Sequence, residues 1–273
     1  MQNRLRTVYI LSILIIILAI IAAAGGLFID GLYHDNALVT AGWRGNDLVT
    51  LLVAAPLLVA ALMLSWHGSG RARLVWLGML DYTLYNFGFY LFGAAFNNFF
   101  LIYAALFTLS IFALIFGLAT LDVQRVGDQF RVGMPVKWIG GYMLFVATGL
   151  SIVYVAQSLG FIVTGQLPPV VTLTGHPTSV VFALDLSLVV PVLVLGAIWL
   201  WKRQPWGYVL AVIANVKGAV YMLALSASTV AAVQAGVSQD LSQVGLWGFI
   251  GVASLIATLF LLYNFQPVPK EQK

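Results

Sequence analysis

The sequence predicts an all-α, polytopic membrane protein: eight transmembrane helices forming two parallel-related four-helix repeats, with both termini on the cytoplasmic side (N-in/C-in). Three observations carry this prediction. The composition is too apolar for water, basic residues are confined to alternate connections, and two stretches 130 residues apart follow one design.

Hydrophobic residues make up 62% of the chain and charged ones 8%, against roughly 25% charged in ordinary soluble domains. Crossing the hydrocarbon core takes about 20 apolar residues in a helix. Eight segments reach that length: 8–28, 47–66, 73–95, 99–121, 138–159, 179–201, 206–230 and 244–264. A β-barrel would alternate polar and apolar residues, which Ile15-Ile16-Ile17-Leu18 and Leu57-Leu58-Val59 do not.

The first span follows Arg4 and Arg6 and ends near Ala22-Ala23-Ala24-Gly25. Basic start, apolar run and small residues also fit a signal peptide. The span is nearly full length, however, and pairs with the fifth span in the repeat, so it reads as a retained helix. An outer loop, Ile29–Asn46, leads to the second span, which Asp47 is expected to cap and which contains Pro56. Arg73-Leu-Val-Trp76 enters the third, and the fourth carries Tyr103, Ser110 and Gly117 on one face. After the connection Asp122–Val136 the pattern begins again. The fifth span leads to an outer loop, Gly160–Thr178, and a sixth span with Pro191 returns. Arg203-Gln-Pro-Trp206 enters the seventh, and Gly251, Ser254 and Thr258 line the eighth. Small faces of this kind let membrane helices pack closely.

The two copies correspond to residues 1–128 and 129–273. Thr40-Ala-Gly42 leads to Ala54-Ala55-Pro56-Leu57 as Thr174-Gly175 leads to Val189-Val190-Pro191-Val192, and Gly88 matches Gly218. An even number of spans per copy gives both the same orientation, so the axis relating them lies along the membrane normal.

Arg71, Arg73, Arg125, Arg131, Lys137, Lys202, Arg203, Lys270 and Lys273 all fall on the side of the N-terminus, whereas the opposite connections carry only Arg44. This is the positive-inside pattern. The net charge of +4 therefore reflects topology in an inner (plasma) membrane, with the lipid bilayer and not nucleic acid as partner. Trp43, Trp66, Trp76, Trp138 and Trp206 read as interfacial anchors. There is no cysteine, hence no thiolate chemistry or disulfide.

Asp81, Asp185 and Lys217 lie inside predicted spans, where each costs about 2.5–3.5 kcal/mol at mid-helix. By helical rise they sit about 12, 24 and 16 Å from the basic face, respectively. Lys217 is expected to pair with Asp81 or Asp185. Tyr85, Asn86, Asn215 and Tyr221 lie within a turn of these charges and can supply hydrogen bonds. At the aligned positions stand Ala211, Thr50 and Phe87, so the charges belong to single copies. They form one ion pair that fixes helix register, or an intramembrane solute, ion or proton site, or else they snorkel or face lipid.

A lysine in the seventh span also resembles a retinal Schiff-base arrangement, but Ile213 stands where microbial rhodopsins carry an aspartate. His34, Asp35 and His176 show no metal-ligand spacing and read as solvated loop residues. No nucleotide-binding, zinc-protease or nucleophile-elbow motif is present, so neither an enzyme nor a cofactor is expected.

Trp43-Arg-Gly-Asn-Asp47, Tyr85-Asn-Phe-Gly-Phe-Tyr-Leu-Phe-Gly-Ala-Ala-Phe96, His176-Pro-Thr-Ser-Val-Val-Phe-Ala-Leu-Asp185 and Trp206-Gly-Tyr208 resemble a group of bacterial multi-spanning membrane proteins of unassigned function. The resemblance covers most of the chain and implies no activity and no site residue. The residues favour a small-solute or ion/proton-coupled transporter with its polar site between the repeats. A non-transporting component, such as a sensor, assembly factor or accessory subunit bound to other membrane subunits, is the alternative. An intramembrane enzyme ranks third.

Overall fold

A computed structural model describes residues 2–266, with side chains from residue 5 onward. Twelve α-helices follow one another among the described residues: α1 (Gln2–Phe28), α2 (Ala37–Val49), α3 (Ala55–Trp66), α4 (Gly70–Gly93), α5 (Phe100–Ala119), α6 (Val123–Asp128), α7 (Val136–Thr164), α8 (Pro169–Thr174), α9 (Val180–Leu184), α10 (Val190–Trp201), α11 (Pro205–Gln234) and α12 (Ser242–Asn264). No β-strand forms among them; one isolated bridge joins Phe130 to Phe265.

Helices α2 and α3 are one rod, as are α9 and α10, each joined by a five-residue π-helical turn, Thr50–Ala54 and Asp185–Val189. Both turns begin six residues before a proline, Pro56 or Pro191. Proline has no N–H and its ring crowds the carbonyl four residues earlier. A wider turn relieves that crowding, and the Ala55 and Val190 N–H groups bond instead to the carbonyls of Thr50 and Asp185.

Among the described residues seven helical rods are long and apolar enough to cross a membrane: Leu5–Phe28, Ala37–Trp66, Phe100–Ala119, Val136–Thr164, Val180–Trp201, Pro205–Gln234 and Ser242–Asn264. The chain is thus a multi-pass helical membrane protein whose flanks meet lipid. The expected third span is also a helix, α4, but Arg71, Arg73, Asp81 and Asn86 make it less apolar than the rest. Its position explains how this is tolerated. Of its 24 residues 15 are buried, whereas only 5 of 29 are buried in α7. Helix α4 runs through the middle of the bundle against α3, α5 and α11, and α11 touches α2, α10 and α12 in turn.

Glycines set the closest approaches. A Cβ on Gly78 of α4 would stand 2.6 Å from the Val216 Cβ of α11, and one on Gly45 of α2 would stand 2.5 Å from the Ala227 carbonyl oxygen. Ser228 Oγ donates to the Gly42 carbonyl at the same crossing. The small-residue faces of α5 and α12 are likewise packed: Gly117 faces Leu77, and Gly251 faces Met222.

Several sequence expectations are corrected. The side chain of Asn36 caps α2, so the helix starts ten residues before the predicted span and the outer loop shrinks to residues 29–36. Asp47 therefore lies inside the rod and caps nothing. Helix α7 runs on to Gly165, whose φ of 70° stops it, and α8 occupies part of the following loop. Trp43 and Trp76 are not interfacial anchors. They are 2% and 0% exposed, and their indole N–H groups bond Asp35 and Ser12. Trp66, Trp138 and Trp206 do remain exposed. Helix α1 is continuous through Ala22 and Ala23, both buried.

At the Gly45 crossing there is backbone and no flexible side chain to give way. Gly45→Ala should lose about 1–3 kcal/mol, the usual cost of overpacking. Gly141→Ala, with open space around it, should leave the detergent-solubilised thermal midpoint unchanged.

Candidate functional site

Tyrosines of α4 organise the polar interior. The first residue of each π turn is held by one of them. Tyr82 meets Thr50 at 3.3 Å, and Tyr85 donates to Asp185 Oδ1 at 2.6 Å. Tyr154 of α7 donates to the other Asp185 oxygen at 2.8 Å and stacks on Phe182. Asp185 is buried, so both its oxygens are satisfied by phenols reaching in from two helices.

Lys217, also buried, makes no ion pair among the described residues, where Arg44 pairs with Asp30 and the His176 imidazole lies against Asp35. The Lys217 ammonium lies over the Tyr85 ring, 3.6 Å from its centroid, with the Tyr221 ring at 5.2 Å. The expected Lys217–carboxylate contact is therefore replaced by a phenol bridge. Tyr85 presents its ring to the cation and its hydroxyl to Asp185. Cation–π contact is worth about 2 kcal/mol or more once desolvated, which offsets part of the cost of burying the ammonium. Asp185 and Asp81 are the carboxylates whose field reaches Lys217. Asp81 itself is only part-buried and has no hydrogen bond among the described residues.

The remaining predicted residues divide. Tyr221 joins the group edge-on to Tyr85, at 4.6 Å between ring centroids. Its hydroxyl comes near the Tyr85 hydroxyl but lacks a hydrogen bond of acceptable geometry. Asn86 faces the other way and accepts from Asn46 Nδ2 of α2 at 2.8 Å. That pairing leaves Asn86 Nδ2 and Asn46 Oδ1 buried without partners. Asn215 turns back onto its own helix, donating to the Ala211 carbonyl.

A second carboxylate knot was not foreseen. Asp47 is 3% exposed and accepts from Tyr33 at 2.5 Å and from Tyr90 at 2.8 Å. Gly26 of α1 makes room for it, since a Cβ there would collide with the carboxylate and the Tyr33 hydroxyl. Burial, and then the neighbouring Asp47, hold the Tyr33 phenol far above its ordinary range, so it stays a donor. The available signal was a second acid, Asp47, beside a long apolar run.

The loops after α1 and α8 meet around Asp35, whose side chain is almost fully buried, contrary to the solvated reading. It accepts from the Trp43 indole and the Ala95 backbone N–H, and His176 Nε2 lies 3.4 Å away. Asn36 Nδ2 also bonds the carbonyls of Leu173 and Thr174. These contacts tie the first of these loops to the second. No cluster among the described residues has enough His, Asp or Glu to hold a metal ion.

Comparison with protein-family models, curated proteins and solved structures finds no match to this chain. What the site can do must be read from its groups. It holds a cation, a phenol-bound acid, a second acid with no hydrogen bond among the described residues, and the orphaned Tyr221 hydroxyl.

Tyr33→Phe and Tyr90→Phe each strip one donor from a buried carboxylate. Each should cost about 1–3 kcal/mol, read as a fall in thermal midpoint. Tyr263→Phe, on an exposed residue, should cause none.

Proposed function

We propose that the chain is a small-solute or ion/proton-coupled transporter whose site lies around Lys217, Asp185 and Asp81. In this reading α4 is an eighth crossing and both termini are cytoplasmic. Residues 1–128 and 129–273 are the two repeats, with α4 and α11 meeting at their interface. The matched offset of the two π turns from Pro56 and Pro191 supports the duplication.

The observation that carries the reading is Lys217. A buried charge with a poor set of partners is costly, and a register-fixing ion pair would have closed it against a carboxylate. Here the ammonium rests on an aromatic face and the two acids are held apart from it. Ionisable groups inside membrane bundles mark solute, ion and proton paths by default. The buried Tyr221 hydroxyl has no hydrogen-bond partner among the described residues, which leaves a polar atom for a bound solute or ion to engage. The alternative of a non-transporting component needs a dry, closed Lys–Asp pair, and the separation of these groups disfavours it.

The absence of cysteine allows a direct test of water access. Asp81→Cys should react with a membrane-impermeant thiol reagent, and Leu77→Cys, at 0% exposure, should not. Equal inertness of both would count against the proposed site. In vesicles loaded with a pH-sensitive dye and given a valinomycin-imposed potential, the wild type should pass protons faster than protein-free vesicles. Lys217→Met and Asp185→Asn, recovered as monodisperse protein, should lower that rate about ten-fold or more, in keeping with the loss of a buried charge interaction. Wild-type rates no higher than those of empty vesicles would remove the proton-coupled form of the proposal.

A further inference from the structure

At the basic end of the bundle two clefts flank the turn between α3 and α4. One, of about 420 Å³, lies beside α1 and includes Arg6 and Arg73 in its wall. The other, of about 680 Å³, lies beside α5 and α6 and is lined by Arg71, Arg73 and Arg125. Both share Gly68, Ser69, Gly70 and Arg73, so they are two lobes around one arginine. We infer that these lobes bind a phosphate group, as the headgroup of an anionic lipid or as a free phosphoanion.

The arginines are placed, not merely present. Arg73 Nη2 donates to both the carbonyl and the hydroxyl of Thr120 at 2.8 Å, which locks the guanidinium in the shared wall. Among the described residues its buried Nε has no hydrogen-bond partner. Arg71 is fixed by Nε and Nη2 to the Phe265 carbonyl, at 3.1 and 2.6 Å. Arg6 and Arg125 are exposed and have no side-chain hydrogen bond among the described residues. The carboxylate in the wall, Asp122, is engaged by the Arg125 backbone N–H as the cap of α6.

Planar guanidinium forks match phosphate oxygens in pairs, and the first turn of α4 opens into the same space with its dipole favouring an anion. A general excess of basic residues at one membrane face would need neither a cleft nor an orphaned Nε. The smaller lobe has an apolar wall of Leu5, Tyr9 and Trp66, and Trp66 is exposed and stacked on Tyr9. A lipid would place its glycerol and upper acyl chain against that wall. Basic pockets between helices at this level are the setting in which anionic headgroups bind.

The test uses the whole protein in phosphatidylcholine nanodiscs containing phosphatidylglycerol, with retained lipid read by native mass spectrometry. Wild type should keep phosphatidylglycerol in preference to phosphatidylcholine. Arg6→Gln/Arg125→Gln, which breaks no packing contact, should lower that retention about five-fold or more, from the loss of two headgroup charges. Lys202→Gln, an exposed charge in another basic turn, should leave it unchanged. A second arm titrates inorganic phosphate into detergent-solubilised protein by ³¹P NMR. Binding there that disappears in the double variant assigns the site to a soluble phosphoanion. If neither lipid nor phosphate binds, or if Lys202→Gln weakens binding as much as the double variant, the inference fails.

Discussion

Charge buried in a bilayer-embedded bundle has to be answered from within the bundle, and here phenol hydroxyls give most of the answer. Asp47 and Asp185 each receive two tyrosine hydroxyls. Tyrosine suits the task because its ring packs like any apolar group while its tip donates a strong hydrogen bond. Two of these four tyrosines, Tyr85 and Tyr90, come from α4, and Tyr82 of the same helix meets Thr50. That helix is therefore the least free to move outward. Its polar residues and its central position are two aspects of one constraint.

The two carboxylate knots differ in one respect that separates structure from chemistry. Asp47 is enclosed by Tyr33, Tyr90 and the gap left at Gly26. It ties α2 and α4 to the loop that follows α1. Asp185 shares its phenol with a cation, because the ring of Tyr85 carries Lys217. Any change in the charge of either group is felt by the other through one side chain. Asp185 also begins a π turn, and such turns in helices frequently mark functional positions. Thr50 begins the matching turn and meets Tyr82 instead. The two π turns thus share their offset from a proline but not their polar partner.

The loops around Asp35 show the same economy on a smaller scale. Asp35 collects an indole, a backbone amide and an imidazole at the end of the bundle away from the arginine-lined clefts. The two ends thus differ in kind: one centres on an acid, and the other is lined by arginines.

Composition and charge placement were enough to establish helical rods in a membrane, because the cost of exposing apolar side chains to water does not depend on how the rods pack. Proline positions likewise foretold where the second and sixth spans would be irregular. The positions of Asp81, Asp185 and Lys217 marked the costly part of the interior. Their partners were not legible. Opposite charge alone points Lys217 to a carboxylate, yet the Tyr85 ring carries the ammonium while its hydroxyl holds Asp185. Asp47 looked like a helix cap because Gly45 and Asn46 precede it, but the Asn36 cap starts the helix earlier and carries Asp47 into the core. Rod identity follows from local hydropathy along the chain. Which polar groups meet depends on helix rotation, crossing distance and the contacts of residues far apart in sequence, and only the packed bundle sets those.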